Sequence, residues 1–196
     1  MAARTYTMRK RAEAKEAKRG DLLDATRALF IERLDPDSIT LEQVALRAGT
    51  STMTVIRHFG TKKGLLEATR QREHGRVMAS RRAPAGDIDR AIHNLYRHYE
   101  ETGDWGLRMQ ALESVNPGLR KGMRHARKAH REWVEEVFAP QLEAIALADR
   151  TDIVTALVVA CDLLTWKLLR RDLHLPRSRA ESIVRRMAQA LLTRGV

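Results

Sequence analysis

The stretch Thr40-Leu-Glu-Gln-Val-Ala-Leu-Arg-Ala-Gly-Thr-Ser-Thr-Met-Thr-Val-Ile-Arg-His-Phe59 constrains the fold more than any other part of this 196-residue chain. Leu41, Val44, Ala45 and Ala48 recur at helical spacing and supply one buried face. Thr40 is placed to cap that helix, and Gln43, three residues on, completes a capping box. Gly49 stands where the helix must end, because a left-handed backbone costs glycine little. Ser51 caps a second helix, to which Val55 and Phe59 give an apolar side at i, i+4 spacing. Two short helices joined by a tight turn make a helix-turn-helix.

Helix, glycine turn and helix also describe an ordinary packing hairpin, so the surrounding charges matter. The outward side of the second helix carries Thr52, Thr54, Arg57 and His58, which are small polar or cationic groups. The next helix opens with Thr61-Lys62-Lys63, and a basic arm lies upstream. These features suit a polyanion, and packing requires none of them. A helix-turn-helix in that setting lays its second helix in the DNA major groove.

Residues 20–69 resemble the DNA-binding domain of TetR/AcrR-family transcriptional regulators. The resemblance is carried by Ala28-Leu29-Phe30, by Ile39-Thr40, by Ala45 through Ala48-Gly49, and by the run Arg57-His58-Phe59-Gly60-Thr61-Lys62-Lys63-Gly64-Leu65-Leu66. The chain departs from the family in having Ile56 where a phosphate-contacting tyrosine is usual. It also has Met53 where glycine is frequent, and no aromatic residue at Asp35. The resemblance implies that Thr40, Thr54, His58 and Lys62 touch phosphate. Thr52, Met53 and Arg57 are the candidates for reading base edges, and Ser51 completes the DNA-facing set.

Composition bounds the partners. A formal net charge of +11 argues for a polyanion but does not decide the fold. A membrane surface would fit the charge, yet no run of about eighteen apolar residues exists to span one. The first residues, Met-Ala-Ala-Arg-Thr-Tyr, lack an apolar signal core, and Cys161 is the single cysteine. Together these point to a reducing cytoplasm. No metal-ligand spacing, phosphate loop or nucleophile elbow is found, so neither an enzyme nor a cofactor or metal is expected.

Val and Ile fall at helical spacing and not in alternation, so the chain reads as all-α, with about nine helices in total. Residues 1–20 hold seven Lys or Arg without apolar periodicity and read as a basic arm, frayed in isolation, that orders on DNA. Residues 21–79 read as the DNA-binding domain: a three-helix helix-turn-helix opening with Asp21 to about Leu34, then a connecting helix from Lys62 toward Met78. Pro84 and Gly86 mark the boundary to a helical ligand-binding and dimerisation domain, 80–196. Five stretches follow: from Ile88 to an interruption at Gly103, Trp105–Val115, Leu119 to about Leu147, Thr151–Leu173 and Arg177–Leu192.

The helix 151–173 is apolar around much of its circumference and needs burial on more than one face. With the resemblance, this implies a homodimer through residues 151–193 and a double-stranded DNA operator with an inverted repeat. The family's use of the second domain as a receptor implies an unidentified, mainly apolar effector. His93, Tyr96, Trp105, Met109, Leu112, Trp133 and Trp166 are the candidate lining. The expected function is a repressor released by that effector. The alternative is a constitutive DNA-binding dimer whose second domain is fully packed. The basic run Arg120–Arg131 reads first as a solvated face.

Overall fold

Helix propensity, not amphipathicity, builds the start of the first element, up to about residue 20. In the computed structural model, α1 runs unbroken from Ala2 to Arg33. The structure describes residues 2–193, and side chains from Met8 to Thr193. Residues 1–20 were expected to be a frayed arm and are instead helical from Ala2. Met1 and the Arg4 side chain lie outside the described part. The reason is composition: Ala, Lys, Arg and Glu dominate, no proline occurs, and Gly20 is the first glycine. A helix that is polar all round gives no apolar period to read.

The chain divides into two compact units, Met1–Gly75 and Arg76–Val196. The division falls inside α4. In the first unit, α1 is followed by α2 (Leu41–Arg47), α3 (Thr52–Phe59) and α4 (Lys62–Ser80). Leu22, Leu23, Ala25, Leu29, Ile39, Val44, Ala45, Val55 and Leu65 form its core. Arg27 reaches Glu73 at 2.8 Å and Arg72 reaches Asp24 at 3.0 Å, so α1 and α4 are tied by charge as well as by packing.

The second unit contains α5 (Ile88–Leu112), α6 (Pro117–Val137), α7 (Ala139–Glu143), α8 (Leu147–Ala160), α9 (Leu163–Lys167), a π-helical turn (Leu168–Asp172) and α10 (Arg177–Thr193). Taking α8, α9 and the π turn as one broken helix, the described residues hold nine helices and no strand. No described helix is long and apolar enough to cross a membrane.

Three helix boundaries differ from expectation. Gly103 does not interrupt α5. It is buried, and a Cβ there would lie 2.5 Å from the Trp166 ring, so glycine serves close packing. The stretch 119–147 breaks at Phe138, because Pro140 suits the first turn of a new helix and not the middle of an old one. The stretch 151–173 breaks at Cys161–Asp162, where the Asp162 carboxylate accepts from Leu164 N at 2.8 Å and caps α9.

Trp166 is the centre of the second unit. It is fully buried, tilted against Tyr99 at 6.0 Å, and its Nε1 donates to Glu100 at 2.9 Å. Glu100 also takes a two-pronged bond from Arg170, at 2.6 and 3.0 Å, which holds its carboxyl below the usual range. Arg171 lies over the Trp166 ring at 4.4 Å and pairs with Asp104 at 2.9 Å. These contacts pin α9 and the π turn to α5.

Candidate nucleic-acid interface

Local hydrogen bonds set the helix-turn-helix. Thr40 Oγ1 accepts from Gln43 N at 3.3 Å, and Gln43 Oε1 accepts from Thr40 N at 3.1 Å, closing the capping box. Gly49 has φ of 57°, and Thr50 N returns to Ala45 O at 2.9 Å, ending α2 as the sequence predicts. Ser51 Oγ accepts from Thr54 N at 3.3 Å and caps α3. At the other end, Gly64 lets α4 pass close to α3: a Cβ there would clash with the Phe59 carbonyl oxygen.

These caps fix which way α3 faces. Val55 is fully buried and Phe59 half-buried, so they anchor the helix on the core. Ser51, Met53, Ile56 and Arg57 point to solvent, with Met53 71% exposed. Thr52, Thr54 and His58 are half-buried along the edges of that face. The Thr54 hydroxyl is 3.1 Å from that of Ser51. Thr40 is exposed at the start of α2, and Lys62 is half-buried, with Nζ donating to Asp37 O at 2.6 Å. An eight-residue helix is about 12 Å long, comparable to the width of the B-DNA major groove.

The electrostatics favour an anion. No acidic residue lies in α3. The nearby acid Glu32 is taken up by Arg47 in a two-pronged pair at 2.6 and 2.7 Å. Arg19 lies over the Phe59 ring at 4.7 Å, and Lys18 Nζ reaches Ala48 O at 3.4 Å, so α1 brings its cations to both helices of the helix-turn-helix. Partial burial lowers the His58 pKa, and the charges of Arg57, Lys15 and Arg19 lower it further. This favours the neutral form of His58 in the free protein. Lys15 and Arg19, which the sequence places only in the basic arm, and Ile56, which it gives only as a departure from the family, lie beside this surface. Lys15, Lys18 and Arg19 stand at i, i+3, i+4, one face of a helix, which was the available signal.

Bacterial regulatory proteins of the tetR family match residues 22–69 as a family model. The N-terminal unit is a TetR-family helix-turn-helix domain. In line with that match, the HTH-type transcriptional regulator BetI of Burkholderia mallei is 42% identical over 80 residues, which are 39% of this chain and 40% of that protein. The BetI of Burkholderia thailandensis is 41% identical over the same span. The chain thus spans less than half the length of the curated relatives it matches. The TetR-type fold extends further than the sequence likeness. A tetR-family transcriptional regulator from Streptomyces coelicolor superposes with a TM-score of 0.63 at 21% identity, covering 92% of this chain and 82% of that one. A TetR transcription regulator from Haloarcula marismortui gives 0.56 at 14% identity, covering 92% and 98%.

The candidate effector lining does not gather at one surface. In the second unit, Tyr96, Met109, Trp133 and Trp166 are buried, Trp105 and Leu112 are half-buried, and His93 is exposed with Nδ1 3.4 Å from Glu181. An open cleft of about 600 Å³ is lined instead by Ala79, Arg82, Ala83, Pro84, Arg90, Asn94, Arg97 and Glu136. In the basic run of α6, Arg127 pairs with Glu113 at 2.6 Å and Arg131 with Glu135 at 3.0 Å, as befits a solvated face.

Proposed function

We propose that the protein is a homodimeric, sequence-specific DNA-binding transcriptional regulator that represses by occupying an inverted-repeat operator and is released by a small effector. The observation that carries this is α3 itself. Val55 and Phe59 hold it on the core while Met53, Ile56 and Arg57 face out, between cations from α1 and α4. Thr40, Thr54, His58 and Lys62 serve as phosphate contacts. Thr52, Met53 and Arg57 serve as readers, with the Met53 side chain suited to a thymine methyl.

Dimerisation is supported by apolar side chains left open to solvent in the second unit. Val159, Leu164, Leu168, Leu173 and Met187 are all exposed, and all fall within residues 151–193. A two-fold pair of α3 helices would address half-sites one helical turn, about 34–36 Å, apart or somewhat more. Selection of bound duplexes from a random pool tests the proposal. An enriched inverted repeat is expected, and Leu164→Asp should give a monomer that has lost most affinity for it. A pool that remains random after selection would overturn the proposal.

A constitutive DNA-binding dimer is the second reading, favoured by the burial of Tyr96, Trp133 and Trp166 in one packed cluster. Operator affinity measured with and without a bound small molecule separates the two. An effector shifts the balance only by its differential affinity for the two states.

A further inference from the structure

Arg81 stands directly after α4, and its side chain enters the core of the second unit with 8% of its surface exposed. Among the described residues no carboxylate pairs with it, and its buried Nε has no hydrogen-bond partner. The Tyr99 ring lies 5.1 Å from its guanidinium carbon, while its backbone carbonyl accepts from Trp133 Nε1 at 3.3 Å. His130 stacks on Trp133 at 5.9 Å. It is itself buried, and its Nδ1 is without a partner. The Asp162 carboxylate is engaged in capping α9.

This combination is costly for folding alone. A guanidinium does not discharge when buried, and an aromatic face offsets only part of its lost hydration. A carboxylate accepting two parallel N–H bonds would offset far more. His98 and His130 cannot take over the charge, because burial, and secondarily Arg81, lower both of their pKa values. The positive charge in this apolar region is thus that of Arg81.

We propose that the effector of the second unit is an apolar monocarboxylic acid whose carboxylate pairs with Arg81 while its hydrocarbon part packs against the aromatic side chains around it. The proposal rests on the reading of that unit as a receptor, and it narrows the effector from apolar molecules in general to apolar acids. Arg81 follows the last residue of α4, and α4 begins at Lys62 in the DNA-binding unit. An anion drawn to Arg81 would therefore act at the end of the helix whose start lies beside the recognition surface in sequence.

The test is calorimetric titration of the full chain with acetate, hexanoate and benzoate, alongside hexanol, benzyl alcohol and hexylammonium. Hexanoate or benzoate should bind once per subunit, at least tenfold more tightly than its alcohol, and hexylammonium should not bind. Arg81→Met should weaken the acid at least tenfold, about 1.4 kcal/mol, without lowering the thermal midpoint. Arg81→Lys, which keeps the charge but loses the fork, should fall between. The proposal is overturned if none of the three acids binds in the millimolar range, if alcohols bind as well as acids, or if the Met variant binds acid unchanged. A Met variant that unfolds would assign Arg81 to stability, unless the charge series in the unaltered chain still favours the acid. Duplex selection is run without any acid, so loss of this inference leaves the DNA-binding reading to its own experiment.

Discussion

Arg57 and Lys62 carry the same charge within five positions, and their surroundings give them different work. Arg57 is exposed on the outward face of α3 with its guanidinium fork free to reach a base edge. Lys62 is half-buried and tethered to the Asp37 carbonyl, which under the proposed function suits it to backbone phosphate and not to a base edge. Arg57→Ala should cost about 1–3 kcal/mol of operator affinity and relax preference at one base pair. Lys62→Ala should weaken every sequence alike and lower the salt slope by about 1. Titrations against the operator and its single-pair variants at several salt concentrations read both, and equal losses on all sequences would refute the division. His58 adds a pH dependence. Its pKa is lowered in the free protein, and a phosphate beside it would raise it again. DNA binding should then take up a proton, and affinity should rise as pH falls through the interval between the free and bound pKa values. In His58→Gln that rise should disappear; a slope unchanged by the substitution would remove His58 from the contact set.

At the level of elements, legibility followed the range of the interactions. The capping box of α2, the turn at Gly49 and the Ser51 cap were readable because each is closed within five residues of sequence. The inward turn of Val55 and the outward turn of Arg57 followed from helical period alone. What failed depends on distant partners. Gly103 looked like a breaker, because glycine spacing cannot distinguish a helix end from a place where an indole presses on the backbone. Trp133 and Trp166 are candidate ligand walls by size alone, and both lie buried in the packed cluster of the second unit. The tether of Lys62 and the placing of Lys15 and Arg19 needed the tertiary fold. Gly103→Ala tests the corrected reading of α5. In an open helix the change would stabilise, since alanine is the better helix former. Here the new Cβ meets an indole locked by Glu100 and Arg171, so a net loss of about 1–3 kcal/mol is expected from chemical denaturation. An unchanged or raised midpoint would mean that Trp166 yields easily and is not the fixed centre described here.

For the whole molecule, the second unit ties stability to pH through buried histidines held neutral, His98 with the largest shift. His98 is buried on α5, with Ser80 Oγ at 3.1 Å from Nδ1 and Thr102 Oγ1 at 3.2 Å from Nε2. Burial, helped by the charge of Arg81, lowers its pKa from 6.5 to about 3. The unfolded chain therefore binds a proton at this site between those two values while the folded chain does not. Stability contributed by His98 is complete above pH 6.5 and is lost as pH falls toward 3. Each unit of pKa difference is worth about 1.4 kcal/mol, so by about pH 4.5 the loss should be roughly 2–3 kcal/mol. Carboxylates held low by arginines, such as Glu100 and Asp104, act in the same direction, but nearer their own lower range. His98→Gln separates the contributions, because an amide can bond both hydroxyls and does not titrate. The difference between unaltered and His98→Gln protein in urea denaturation should change by about 2–3 kcal/mol from pH 7 to about pH 4.5. A difference that stays constant with pH would mean that His98 is protonated in the folded state, and that the buried charge of Arg81 is already balanced by groups around it.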